Sequence, residues 1–341
     1  MKNLAVEFAD ILVEIGMKYP EVIVVDADLP DSCNTEKFAK NFPDRVWDIG
    51  IAEQSLPTIS AGLALCGKIP VYNSFAVFAV HRGVDMIRQS ICYNNANVKI
   101  VGHAAGVSMG YTGPSHHTIE DIALLRAFPG MCILQPSDAV ELKQMMFATI
   151  EHNGPVYLRL PRSTVPTYHT DDYEFKIGQP DLISEGTDIS LFFTGDLYAK
   201  VMEIVSALEY GKISVQVVNL PSIKPLDVNA IIQLGKITRA AVTLEDHNII
   251  GGMGSMIAEI YAEYLQKPVK RMGINDTFTE SADADLLRER YGLGNKTILK
   301  AISTLLNNRT SGKMENEPLG ILWKMDWDGT LRTLEVAISK E

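Results

Sequence analysis

The sequence predicts an α/β protein made of two consecutive units, each a mainly parallel sheet covered by helices. Three observations carry this. Continuous apolar, β-branched runs recur along the chain (Glu21-Val22-Ile23-Val24-Val25-Asp26, Val98-Lys99-Ile100-Val101-Gly102, Ile189-Ser190-Leu191-Phe192-Phe193), as in strands buried on both faces. They alternate with segments of helical periodicity, and repeated β-helix-β units call for a parallel sheet between helical layers. The alternation breaks once, at about 163–187, where Pro166, Gly178, Pro180 and Gly186 punctuate a stretch without apolar period. A chain of 341 residues is long enough for two such cores.

In chain order, Leu4, Phe8, Ile11, Leu12 and Ile15 recur at helical spacing, so 2–18 is expected to be an amphipathic helix. The Val22–Asp26 run follows as a strand. A strand-like approach over 45–49 runs into Gly50, and a helix is expected near 53–66 with Glu53 in its first turn, where the helix dipole favours a carboxylate. Strand 69–74, a long helix over 77–93 and strand 98–102 come next. A glycine-rich loop (Gly106, Gly110, Gly113), a helix near 117–128, strand 131–134, helix 137–151 and strand 156–160 complete the first unit, 1–165. A surface linker over 166–187 leads to the second unit, 188–308. There, strands near 189–193, 214–219, 240–245 and 268–273 alternate with helices near 198–209, 227–236, 253–266 and 295–307. The tail, 309–341, fits neither unit. Asp328-Gly329 between apolar runs is a hairpin signal there, because a type I′ turn needs positive φ at both central residues.

Composition narrows the function. Hydrophobic residues make up 46% and charged ones 21%, ordinary for a soluble domain. The net charge of −11 argues against nucleic-acid or anionic-membrane partners and requires local positive groups for any anionic substrate. Cys33, Cys66, Cys92 and Cys132 lie far apart, without zinc spacing, and are expected as reduced thiols. The first residues lack the basic and apolar regions of a signal peptide, and no apolar run reaches membrane-spanning length; a cytoplasmic location is expected.

Three stretches carry the chemistry: Asp48-Ile49-Gly50-Ile51-Ala52-Glu53-Gln54, Ser74-Phe75-Ala76-Val77-Phe78, and Gly113-Pro114-Ser115-His116. Together they resemble the pyrimidine-binding domain of transketolases and of 1-deoxyxylulose-5-phosphate synthases. The resemblance runs over about 1–308 and implies a thiamine-diphosphate-enzyme pyrimidine domain followed by a transketolase C-terminal domain. It places on Glu53 the hydrogen bond to the aminopyrimidine ring of thiamine diphosphate, a duty suited to a carboxyl beside apolar neighbours such as Ile51, Ala52 and Leu56. Phe75 and Phe78 become a flat apolar wall against that ring, and Ile51 and Asp28 join the cofactor-binding set. For the sugar, the resemblance implies contacts from Ser32 and His116, and from Arg162, whose guanidinium fork suits a terminal phosphate. His116 is also expected to serve catalysis.

Two departures fall at the sugar end. Thr112 stands where transketolases commonly have an aspartate, and the upstream histidine that contacts phosphate is either His103 or has slipped by one place to Ala104. His81 replaces a tyrosine common in the family. Arg82 beside it is open to two readings, a surface charge or an anion contact. The Gly-Gly-x-Gly turn at 251–254 is weak evidence for an anion site and is taken as structural. The paired Gly-Asp-Gly and asparagine that hold diphosphate and Mg²⁺ in thiamine enzymes have no counterpart; Gly195-Asp196-Leu197 and Asp328-Gly329 are the nearest fragments.

The resemblance therefore implies the C-terminal section of a split transketolase. It would transfer a two-carbon ketol unit from a ketose, expected to be phosphorylated, to an aldose. Mg²⁺ and diphosphate would be held by a partner N-terminal-section subunit. The expected assembly is a two-plus-two heterotetramer around a dimer of this chain, with no metal ligands in the chain itself. The alternatives are a subunit with 1-deoxyxylulose-5-phosphate-synthase-like or other acyl-forming thiamine chemistry, and a non-catalytic scaffold subunit that keeps the fold.

Overall fold

The computed structural model of the chain describes residues 1–307. The hairpin expected in 309–341 lies outside the described residues. The first unit is a seven-stranded sheet in the order Ser222–Lys224, Cys132–Leu134, Val156–Leu160, Lys99–His103, Ile69–Phe75, Val22–Asp26, Val46–Asp48. Every pair in it is parallel except the edge pair Ser222–Lys224 with Cys132–Leu134. The second is a five-stranded sheet in the order Val269–Ile274, Ala240–Asn248, Ile189–Phe193, Val215–Asn219, Asp181–Ser184, parallel but for its last, antiparallel strand.

The layers follow from burial. On one face of the first sheet, the Leu4–Lys18 and Ala139–Glu151 helices bury Leu4, Phe8, Leu12, Leu142 and Met145 against Val24, Val101 and Leu158. The other face shares a core with the second unit: Tyr72, Ile100, Ile133 and Tyr157 belong to one apolar cluster with Phe192, Val218, Ala241, Ile257 and Tyr261. Beyond the second sheet, the Tyr198–Tyr210 and Asn295–Asn307 helices close a third core around Leu191, Val201 and Ile298. Among the described residues, no helix is long and apolar enough to cross a membrane.

Three expectations need correction. The stretch 166–187 is not wholly a linker, because Asp181–Ser184 is an edge strand of the second sheet, paired with Val215–Asn219. Just before it, Thr164–Val165 pairs with Lys2–Asn3. Ser222–Lys224, between the strand expected near 214–219 and the helix expected near 227–236, leaves the second unit to extend the first sheet, so the two units are interlocked rather than strung in series. Finally, the helix after Gly50 runs over Leu56–Leu65, with Ser55 as its N-cap and Pro57 in its first turn. Glu53 lies in the preceding turn and not in the helix.

Candidate active site

The candidate site residues cluster beyond the C-terminal ends of neighbouring strands, where open parallel sheets place their ligands. Asp28 follows the Val22–Asp26 strand, Glu53 follows Val46–Asp48, Phe78 follows Ile69–Phe75, His116 follows Lys99–His103 and Arg162 follows Val156–Leu160. Asp48 ties two of these ends together: its Oδ1 accepts from the amides of Asp28 (3.0 Å) and Gly50 (2.9 Å). Gly50 has φ of +72°, a left-handed conformation that glycine adopts freely, and this folds the chain back so that the Ala52 amide donates to its carbonyl at 2.7 Å.

That turn carries Glu53 inward until only 4% of its side chain is exposed. Its Oε2 is 2.7 Å from Nη1 of Arg82. The same guanidinium lies over the Phe78 ring, 4.0 Å from its centroid. Among the described residues, the other carboxylate oxygen of Glu53 takes no hydrogen bond. Phe75, buried at the end of its strand, and Phe78 stand with ring centroids 6.1 Å apart. His116 meets both, at 5.2 Å edge-on from Phe78 and 6.1 Å from Phe75. Glu53, Arg82, Phe78, Phe75 and His116 thus form one connected group.

The other expected residues are placed less uniformly. Asp28 is exposed and adopts φ of +60°. Ser32 is half-buried, Thr112 is exposed, and its hydroxyl donates to the Met109 carbonyl. Ile51 points outward, 74% exposed, and makes no part of the pocket wall within this chain. His103 is buried, its Nε2 at 3.1 Å from Asn73 Oδ1 and its ring edge-on to Phe8. Burial, helped by the nearby Arg162 charge, pulls its pKa down to about 3, so it is neutral below the floor of the site. Ala104, the other position left open for the phosphate histidine, is buried as well. Arg162 is exposed at the edge of a 640 Å³ cavity between the units, which Ser108, Asp196 and Arg288 also line. Asp196, the nearest described fragment of a diphosphate motif, is occupied otherwise: it pairs with Arg288 at 2.6 Å and accepts from Ser163.

Sequence reasoning missed several contacts here. His81 lies 3.4 Å from Glu120; burial pulls its pKa down, but the Glu120 carboxylate outweighs burial and the net shift is upward. His117 is buried and braces the loop to the second unit through Thr279 (2.5 Å) and the Gly110 carbonyl. The helix start at Ser55 and Pro57 was a readable signal that would have placed Glu53 outside the helix. Nothing local in the sequence signals the pairing of Arg82 with Glu53, twenty-nine residues apart.

A nearly dry carboxylate with one free oxygen, beside an aromatic wall, fits a flat heterocycle that bears hydrogen-bonding nitrogens. That is the chemistry of an aminopyrimidine. Residues 3–167 match the transketolase pyrimidine binding domain and residues 178–298 the transketolase C-terminal domain, which puts the chain among the thiamine-diphosphate-dependent transferases. It is 38% identical over 304 residues to a Methanocaldococcus jannaschii protein assigned as a transketolase C-terminal section, covering 88% of this chain and 95% of that one. It is 34% identical to a 6-deoxy-6-sulfo-D-fructose transketolase subunit of Clostridium sp. (strain MSTE9), covering 86% and 91%. A solved structure described as a split gene transketolase, inactive beta4 tetramer, superposes with a TM-score of 0.84 at 40% identity, covering 90% of this chain and 99% of that one. The chain belongs to the transketolase family and has the extent of its split C-terminal sections.

Proposed function

We propose that this chain supplies the pyrimidine side of a transketolase active site whose diphosphate and Mg²⁺ side is carried by a second polypeptide. The carrying observation is the buried Glu53 carboxylate, with one oxygen that takes no hydrogen bond among the described residues and the other on Arg82, whose guanidinium lies over the Phe78 ring next to Phe75. When bound, thiamine diphosphate supplies the carbon nucleophile that accepts a ketol unit from one sugar and passes it to another. Around it, Glu53 holds a ring nitrogen of the pyrimidine and its proton, and Phe75 and Phe78 exclude water and fix the ring plane. His116, in contact with both rings, is placed to exchange protons with a sugar hydroxyl. Ser32 and Thr112 offer hydroxyls to the sugar, Asp28 stands at the cofactor end, and Arg162 meets the anionic end of a sugar phosphate. Ile51, exposed on this chain, completes the cofactor pocket against the partner.

The need for a partner rests on charge. A chain of net charge −11 with Asp196 committed to Arg288 neutralises no diphosphate by itself. The inactive β4 tetramer described for the split-gene relative supports the same requirement. A two-plus-two assembly about a two-fold dimer of this chain, in the cytoplasm, would place each site between unlike subunits. The test is reconstitution with an N-terminal-section transketolase chain, thiamine diphosphate and Mg²⁺. Ketol transfer from a ketose phosphate is expected in the mixture only, with pyruvate a poor donor. Steady-state transfer by this chain alone, with both cofactors added, overturns the proposal.

A further inference from the structure

Arg82 is the member of the connected site group that the sequence leaves open between a surface charge and an anion contact, and to which the transketolase likeness gives no task. Its backbone is fixed beside the Glu53 turn. A Cβ at Gly83 would come within 2.8 Å of Pro57 Cγ and 3.5 Å of the Glu53 carbonyl, so only glycine lets the two segments approach so closely. The Phe78–Arg82 segment has the wide hydrogen bonding of a π-helix, a form frequent at functional sites, although three other described segments share it. That segment carries the Phe78 ring and the Arg82 guanidinium on adjoining turns, and the guanidinium lies on the ring. From there Nη1 reaches Glu53 Oε2 at 2.7 Å while nearly half of the Arg82 side chain remains in water. A single cation therefore joins the carboxylate and the aromatic wall, the two parts of the pyrimidine pocket, and leaves the second carboxylate oxygen free.

We infer that Arg82 is a positioning residue: its ion pair turns Glu53 with one oxygen toward the cofactor ring, and the same guanidinium sets the Phe78 ring. This inference rests on reading Glu53 as the pyrimidine carboxylate. A charge-assisted contact fixes both the distance and the direction of a carboxylate oxygen, so the pair sets which oxygen of Glu53 faces the pocket. The other ionisable groups near the pocket are already engaged. His81 pairs with Glu120 on the opposing loop, Asp48 accepts the Asp28 and Gly50 amides, and the His116 ring packs on Phe78. None of these replaces Arg82 at Glu53 Oε2.

The experiment compares Arg82→Met, which keeps the stem, and Arg82→Lys, which keeps the charge without the planar fork. In this chain alone, with ¹³C-labelled glutamate carboxyls and Glu53→Gln to assign the signal, the Glu53 carboxyl resonance should move from its wild-type position in Arg82→Met, which removes the ion pair. Arg82→Lys should restore most of that difference. In the reconstituted enzyme, kcat should fall by about 10–100-fold in Arg82→Met, the scale of a misplaced catalytic group, and largely return in Arg82→Lys. The half-saturating thiamine diphosphate concentration should rise in both variants, because Phe78 loses the stacked guanidinium. A thermal melt of each variant checks that the fold persists. An unchanged Glu53 carboxyl resonance together with an unchanged kcat in Arg82→Met overturns the inference. Because the carboxyl spectrum needs neither cofactor nor turnover, its failure is distinct from failure of the ketol-transfer reading, which leaves the spectrum intact.

Discussion

Glu53 has an ionisable group where solvent barely reaches, and its isosteric amide separates shape from proton chemistry. Glu53→Gln keeps volume and hydrogen-bonding capacity, so the chain should fold and the assembled enzyme should still bind thiamine diphosphate. A glutamine cannot hold or release the proton at the ring nitrogen, and turnover should fall by about 10²–10⁴-fold, the scale of lost general acid–base catalysis. Near-normal turnover in that variant would remove Glu53 from catalysis. At this scale the sequence was readable for residue identity and less so for surroundings. Glu53, Phe75, Phe78 and His116 sit in stretches whose order along the chain already grouped them. Contacts between those stretches, such as Arg82 on Glu53 or His103 on Asn73, arise only when strands are placed side by side.

Among the elements, the strap over 166–180 shows how irregular chain is held between units. Its Tyr168 and His169 amides both donate to Asp138 Oδ2 at 2.9 Å, at the N-cap of the Ala139–Glu151 helix. The His169 ring stacks on Tyr173 and sits 3.1 Å from Asp138 Oδ1 and 3.0 Å from Asp181 Oδ2, the latter on the edge strand of the second sheet. Glu141, 0% exposed, adds its charge to the cluster and accepts from Tyr173 and from Asn219. Burial would lower the His169 pKa, but Asp138, Asp181 and Glu141 outweigh it and hold it at about 9. Because this folded value lies above the unfolded one of about 6.5, the contribution is fully present below pH 6.5 and is lost as pH rises through 9. Its size is roughly 2–3 kcal/mol, and His169→Gln should be destabilised by that amount at pH 6, with the gap to wild type closing by pH 9.5. Denaturant unfolding at both pH values measures it, and a gap that does not depend on pH would show the ring acts by packing alone. The same region marks the limit of sequence reading for elements. Long buried runs such as Val22–Asp26 and Ile189–Phe193 announced themselves, whereas Asp181–Ser184 and Ser222–Lys224 are short, flanked by prolines, and become strands only through distant partners.

Across the whole molecule, the two units are joined by buried charge as well as by the shared core. Arg159, within a central strand of the first sheet, binds Asp121 at 2.8 Å and donates to the Thr118 and Asp246 carbonyls. Arg288, from the second unit, pairs with Asp246 at 2.8 Å and with Asp196 at 2.6 Å, while the Val107 amide of the first unit donates to the Asp246 carboxylate. Burial disfavours the charged form of Asp196, but Arg288 outweighs it and the net shift of its pKa is downward. Removing one partner from such a network leaves charges stranded out of water, which costs more than the intact pairing contributes. Arg288→Met should therefore lower stability by about 3–5 kcal/mol. The loss should fall on the junction between the units, because Asp246 is also a partner of the glycine loop ahead of His116. Wild-type protein, with a core continuous between the sheets, should unfold in one transition, and Arg288→Met should separate it into two. Near-ultraviolet and far-ultraviolet circular dichroism followed together through a denaturant titration reads both effects. A variant within about 1 kcal/mol of wild type, still unfolding in a single step, would mean that the apolar core alone couples the units and that these buried charges serve orientation of the loop rather than stability.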